Sequence, residues 1–333
     1  MTRQERINVI KEVSVLEKSG VISYVTSDRT GMPTQISSDQ IPLFKRHIES
    51  LGNTKKVTVI LYTRGGDVNT PWPIVTSLRE HCEFLQVYIP YCAHSAGTLF
   101  SLGADEIVMG PFSSLSPIDP TVVNGFNPMD PIGNGNRIPI AVEEVSAYLE
   151  LARDSVVGRK ARNAAFSALV NQVHPLALGN IRRNINLIRN LAEKMIALHS
   201  PNISKRQTDK IVKSLITEFH AHGHLIGRNE ARKLGLKVVD ANVDQLELMN
   251  RYYESLKKDF LLLEPWNPAR ELKKAGGIST PDLLLERAMI ETETSRDSFI
   301  TDLKLVGKVI QTQNGPQNGI ETQVASESWV DNP

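Results

Sequence analysis

Ser95 stands in the run Tyr91-Cys92-Ala93-His94-Ser95-Ala96-Gly97-Thr98, between a β-branched stretch and an apolar one. A serine hydroxyl attacks a carbonyl only when a base takes its proton and placed donors stabilise the oxyanion. Small neighbours at Ala93, Ala96 and Gly97 permit a sharp turn, and a helix starting at Ala96 would turn its first amides and positive dipole end toward developing negative charge. The Ala96 amide is one candidate oxyanion donor. The adjacent glycines Gly65 and Gly66 let the backbone approach a carbonyl closely and offer a second amide. Taken singly, Ser95 has a commoner role as a helix N-cap, and Gly65-Gly66 as a tight turn.

Two kinds of element must hold these groups. From Val57 to Met109 short β-branched runs alternate with helical stretches: 57–62, 71–81, 84–89, 95–102 and 106–109. That β-α-β-α-β order predicts buried strands of a mostly parallel sheet, with functional loops at their carboxyl ends. The loops Thr63–Val68 and Cys92–Ser95 fall there. Residues 1–20 and 38–51 carry helical spacing and read as peripheral helices, with Ser37-Ser38-Asp39 as capping oxygens. The stretch from Thr121 to Ile140, rich in Pro, Gly and Asn, reads as a surface loop at a substrate entrance. Helices are expected over 141–155 and 159–199, Pro175 starting or kinking the second, over 204–218, and over 228–234 with its end at Gly235; Lys237 to Asp240 reads as a last strand. The expected division is 1–56 N-terminal helices and lead-in strand, 57–240 catalytic domain, 241–305 C-terminal helical extension, and 306–333 a polar, disordered tail.

With 333 residues, 41% of them hydrophobic, the chain can fill a large core. Thirty-eight basic against 37 acidic residues give a net charge of +1, so no overall field favours nucleic acid or an anionic membrane surface. Two cysteines, Cys82 and Cys92, make neither a disulfide framework nor a zinc site and fit a reducing compartment. The first thirteen residues alternate charged and apolar types, unlike a signal peptide, and no apolar run approaches the roughly 18–20 residues of a membrane span, so a cytoplasmic protein is expected. No Gly-x-Gly-x-x-Gly turn follows a strand, so no nicotinamide cofactor is invoked.

In order along the chain, Thr63-Arg-Gly-Gly-Asp-Val68, Ser95-Ala-Gly-Thr98, Gly103-Ala-Asp-Glu-Ile107 and Asn229 to Val238 resemble successive landmarks of the Clp-type peptidases, over about 57–240. Within that superfamily, Ser95 to Leu99, Pro117-Ile-Asp-Pro120 and Val173 to Gly179 resemble the serine dehydrogenase proteinase family. The resemblance implies an α/β, Clp-peptidase/crotonase-like spiral of β-β-α units with flanking helices, homo-oligomeric assembly around enclosed sites, and a serine peptidase acting through an acyl-enzyme on Ser95, with no metal or organic cofactor. It leaves open an unfoldase or regulatory partner. It also places Ile118 where a Clp peptidase has its histidine and Gly223 near its aspartate, so the usual triad is not intact. His222 as general base and Asp119 as its orienting acid are the neighbouring replacements chosen here. Rivals are His174, His220, His224, Lys160 and Lys194, while His94, next to Ser95 in sequence, is expected to point away. Asp119 alternatively caps a turn, and the alternating His220, His222 and His224 would share one strand face as a weak metal set. Two further readings are a crotonase-like acyl-CoA enzyme, which lacks a glutamate between Ser95 and Gly103, and a catalytically silent oligomeric scaffold of the same fold.

Overall fold

The structure, a computed structural model, describes residues 3–118, 121–122, 125–130, 135–155, 159–200, 202–218, 223–312 and 315–331. Its strands are β1 (Gly20–Thr26), β2 (Lys56–Tyr62), β3 (Phe84–Ile89), β4 (Cys92–Ala93), β5 (Glu106–Met109), β6 (Ser114–Leu115), β7 (Thr121–Val122), β8 (Ile140–Ala141), β9 (Ile226–Gly227), β10 (Val238–Asp240), β11 (Leu283–Glu291), β12 (Arg296–Thr312) and β13 (Gly315–Asp331). Its helices are α1 (Arg3–Glu17), α2 (Ile41–Ser50), α3 (Pro71–His81), α4 (Ala96–Ser101), α5 (Val142–Ser155), α6 (Arg159–Gln172), α7 (Pro175–His199), α8 (Lys205–Lys213), α9 (Arg228–Leu234), α10 (Val243–Asp259) and α11 (Pro268–Lys274).

One sheet of eight strands runs β10-β5-β3-β2-β1-β11-β12-β13. The first five are mutually parallel and the last three antiparallel. The β-branched runs of β1, β2 and β3 are apolar throughout because both faces are covered. On β2, Val57, Val59 and Leu61 face the core under α2, α3, α4 and α7, while Ile60 and Tyr62 face the core under α1 and α10. Each such side chain contributes about 1.5–3 kcal/mol by leaving water. A second, three-stranded sheet, β4-β6-β9, crosses the region beyond the parallel strands' carboxyl ends.

Several local expectations are corrected. Helix α1 is not peripheral: Val9, Ile10 and Val13 cover one sheet face, and buried Arg6 pairs with buried Glu291. Ser37 makes no side-chain cap at the turn before α2. Pro175 starts α7, a separate helix from α6, and His174 is its N-cap. Residues 121–140 are not wholly irregular, since β7 pairs with β8 and Met129 with Arg137.

The largest correction lies at the C-terminal end. Instead of a helical extension followed by a disordered tail, α10 and α11 are followed by three strands, and β11 pairs directly with β1. β12 and β13 pair from Asp297↔Asp331 to Thr312↔Gly315. The alternation of polar and β-branched residues along 320–331 has the period of a strand, and its order comes from backbone pairing with β12 rather than from burial of its side chains.

Candidate active site

Ser95 sits between β4 and α4 with φ 50° and ψ −111°, one of three described non-glycine residues in the left-handed half of backbone space. A non-glycine residue there costs of order 1–3 kcal/mol and persists only where its surroundings impose it. They do so here through short polar contacts. The Ser95 amide donates to Ser116 Oγ at 2.8 Å, and Ser116 Oγ donates to Pro117 O at 2.9 Å. Thr98, in the first turn of α4, donates from Oγ1 to Ala93 O and Ser116 O and accepts from the Ser116 amide at 3.1 Å. The strand before the turn and the strand after the helix are therefore clamped to one hydroxyl. Ser95 Oγ itself makes no hydrogen bond to a described residue, so its lone pairs and proton are uncommitted among them.

The Gly65-Gly66 loop is pressed against this turn. Past the end of β2, Thr63 N donates to Cys92 O and His94 N to Thr63 O, both at 3.0 Å, which carries the pairing up to the nucleophile. A Cβ on Gly65 would lie 2.7 Å from Ser95 Cβ and 3.2 Å from Ala96 N. Both glycines have positive φ, 106° and 145°. The Gly65 amide is spent internally on Thr63 Oγ1 at 2.9 Å. Gly65 O accepts from Ile36 N, and Asp67 N donates to Ile36 O, each at 2.8 Å. The C=O and N–H of one trans peptide point in opposite directions. The Gly66 N–H and C=O consequently both aim away from the 34–37 segment. Among the described residues neither the Gly66 amide nor the Ala96 amide has an acceptor. Two unpaired amides, one on the glycine loop and one at a helix start, are the donor pair an oxyanion requires.

The bases and rivals are distributed as follows. Asp119, His220 and His222 lie outside the described residues, and so does the side chain of Lys160. Ile118 is fully buried, its amide bonded to Leu215 O, so the strand next to Asp119 is anchored. His94 is buried; Arg64 Nη1 donates to its Nδ1 at 3.3 Å, so Nε2 carries the proton and donates to Ser114 Oγ at 2.9 Å. Arg64 is held in turn by Asp28 at 2.6 Å, which also accepts from Tyr62. His174 caps α7 by accepting from Leu176 N at 3.2 Å, and its ring stacks on Phe126 rather than resting on Pro175. His224 pairs with Glu230 at 3.1 Å, and Lys194 lies over the Trp72 ring. Cys92, three positions before Ser95, is no rival nucleophile: it has no exposure, and burial pushes its thiol up to about 12. Among the described residues no cluster of His, Cys, Asp and Glu gathers to hold a metal ion, and no helix is long and apolar enough to cross a membrane.

Ser116, Thr98 and Thr63 were not singled out from the sequence. Small hydroxyl residues are common in turns, and no spacing relates Ser116 to Ser95; only the parallel pairing of β4 with β6 puts them together.

Residues 2–130 match the family described as ClpP-like SDH-type serine proteinase, in agreement with the likeness read from the motifs. The fold is accordingly α/β of the Clp-peptidase-like type. An uncharacterized protein of Methanocaldococcus jannaschii is 26% identical over 261 residues, spanning 76% of this chain and 80% of that protein. Among solved structures, a variant of a 1510-N membrane-bound stomatin-specific protease in complex with a substrate peptide is similar at 20% identity, over 64% of this chain and 74% of that one, with a TM-score of 0.39. A 1510-N membrane protease specific for a stomatin homolog from Pyrococcus horikoshii is 26% identical over 29% of this chain and 49% of that one, with a TM-score of 0.23.

Proposed function

We propose that the chain is a serine endopeptidase that cleaves peptide bonds through an acyl-enzyme on Ser95. Ser95 Oγ attacks the peptide carbonyl carbon, and its proton passes to the base. The carbonyl oxygen, now negative, is held by the amides of Gly66 and Ala96. Collapse of the tetrahedral intermediate breaks the C–N bond, and the amine leaves with the proton from the base. Water then enters by the same path and frees the acid. Gly65 acts through its conformation, since its own amide is committed to Thr63. In this reading His222 is the base and Asp119 fixes its tautomer. The substrate is a peptide or unfolded polypeptide, extended along the Gly66 edge because the other edge is filled by residues 34–37. The site belongs to a homo-oligomer and uses no cofactor.

The observation that carries this reading is Ser95 held at a strained φ with its hydroxyl uncommitted, beside two amides that lack acceptors. Incubation with a fluorophosphonate, followed by peptide mass spectrometry, tests it. Covalent mass on Ser95 together with cleavage of casein supports the peptidase. A folded but unlabelled protein supports the silent scaffold instead. His222→Ala is expected to abolish labelling, and full labelling of that variant would remove His222 as the base.

A further inference from the structure

We infer that Thr63 is a positioning residue for both oxyanion donors, an inference that rests on the peptidase reading above. Thr63 is completely buried at the end of β2 and has four separate connections. Its backbone bonds Cys92 O and the His94 amide, so it is in register with the strand that delivers Ser95. Its hydroxyl accepts from the Gly65 amide at 2.9 Å and bonds Thr26 Oγ1 at 2.6 Å. Its methyl reaches α4, where a Cβ on Gly97 would come within 2.5 Å of Thr63 Cγ2.

The consequence follows from peptide planarity. With Gly65 N turned inward onto Thr63, and Gly65 O fixed by Ile36, the plane that carries the Gly66 amide has no remaining freedom to rotate. That amide stays outward whether or not a substrate is bound. The methyl meanwhile sets the depth of Gly97 and with it the neighbouring Ala96 amide. A side chain with an acceptor oxygen and a branch methyl on one Cβ ties the two donors to a common point. Such fixed donors need no reorganisation when charge develops, which is the origin of their catalytic effect.

Two substitutions dissect the role. Thr63→Val keeps the branch but loses the acceptor, releasing the Gly65 amide; Thr63→Ser keeps the acceptor. Thr26→Val removes the same buried hydroxyl pair without touching Gly65, and serves as the structural control. The measurement is the limiting rate and half-saturating concentration of fluorophosphonate labelling at Ser95, with a thermal melt for each protein. The limiting rate of Thr63→Val is expected to fall by about tenfold or more, with little change in half-saturation, because a misdirected donor acts on the transition state. Thr63→Ser and Thr26→Val are expected to stay within about threefold of the parent on the same grounds. The inference is overturned if Thr63→Val labels at the parental rate, or if Thr26→Val loses as much rate as Thr63→Val. Absence of labelling in the parent protein would instead remove the peptidase reading, and this inference with it.

Discussion

Replacing Gly65 with alanine perturbs the site at its tightest approach. The new Cβ would stand 2.7 Å from Ser95 Cβ and 2.8 Å from His94 O, against about 3.4 Å for an ordinary contact, so one side must retreat by about 0.7 Å. The φ of 106° adds the cost of a side chain in left-handed space, about 1–2 kcal/mol, and overpacking adds about 1–3 kcal/mol. Stability is therefore expected to fall by about 2–4 kcal/mol. The groups displaced are the nucleophile and the turn leading into Ala96, and a misplacement of order 1 Å costs about 10²-fold in rate. Labelling by fluorophosphonate, followed by intact-protein mass, gives the rate; urea unfolding gives the stability. Gly52→Ala is the matched control, because Gly52 also has positive φ, 65°, but a Cβ there meets nothing within 4 Å. It should lose only the backbone cost, about 1 kcal/mol, and label normally. Gly65→Ala labelling at the parental rate would refute the placement of the glycine loop against Ser95.

Ser95→Gly should be more stable than Ser95→Ala by about 1 kcal/mol in urea unfolding, since only glycine occupies φ 50° and ψ −111° freely; equal stabilities would show that the turn is unstrained. Burial pushes the Glu17 carboxyl up, but hydrogen bonds from Lys56, Tyr88 and Gln245 outweigh it and hold it below the usual carboxylate range. Its contribution to stability is thus present above the unfolded-state value and lost as pH falls through the lower folded one; Glu17→Gln should flatten the acid limb of stability against pH, and an unchanged limb would count against the assignment. Removal of β13, residues 315–333, should lower the melting temperature and expose the long edge of β12, with aggregation read by light scattering; a melt unaffected by the truncation would contradict the eight-stranded sheet.

The parallel core was legible because its signal is local. Runs such as Val57 to Tyr62 and Phe84 to Ile89 are apolar at every position, which only strands covered on both faces sustain, and the turns after them could be placed by inspection. The three C-terminal strands were not legible in this way. The apolar residues of β11 are spaced ambiguously between helix and strand, and β13 is polar enough to read as disorder until β12 pairs with its backbone. The site divides along the same line. Ser95, Gly65, Gly66 and Ala96 stood out because small residues beside a lone serine, at two neighbouring strand ends, form a pattern within short stretches of chain.

What the sequence determined by itself was therefore the residue chemistry: a hydroxyl, two flexible glycines and a helix start, set on β-α-β units that bring adjacent strand ends together. What only the tertiary structure decided was how each group is oriented. Gly66 rather than Gly65 offers its amide, since Thr63 takes the one and Ile36 fixes the plane of the other. Ser116, remote in sequence, pins the Ser95 amide and so helps impose its strained φ. Hydrogen-bond direction depends on which peptide planes meet across strands, and that is a property of register between distant segments, which residue types along one chain do not encode locally.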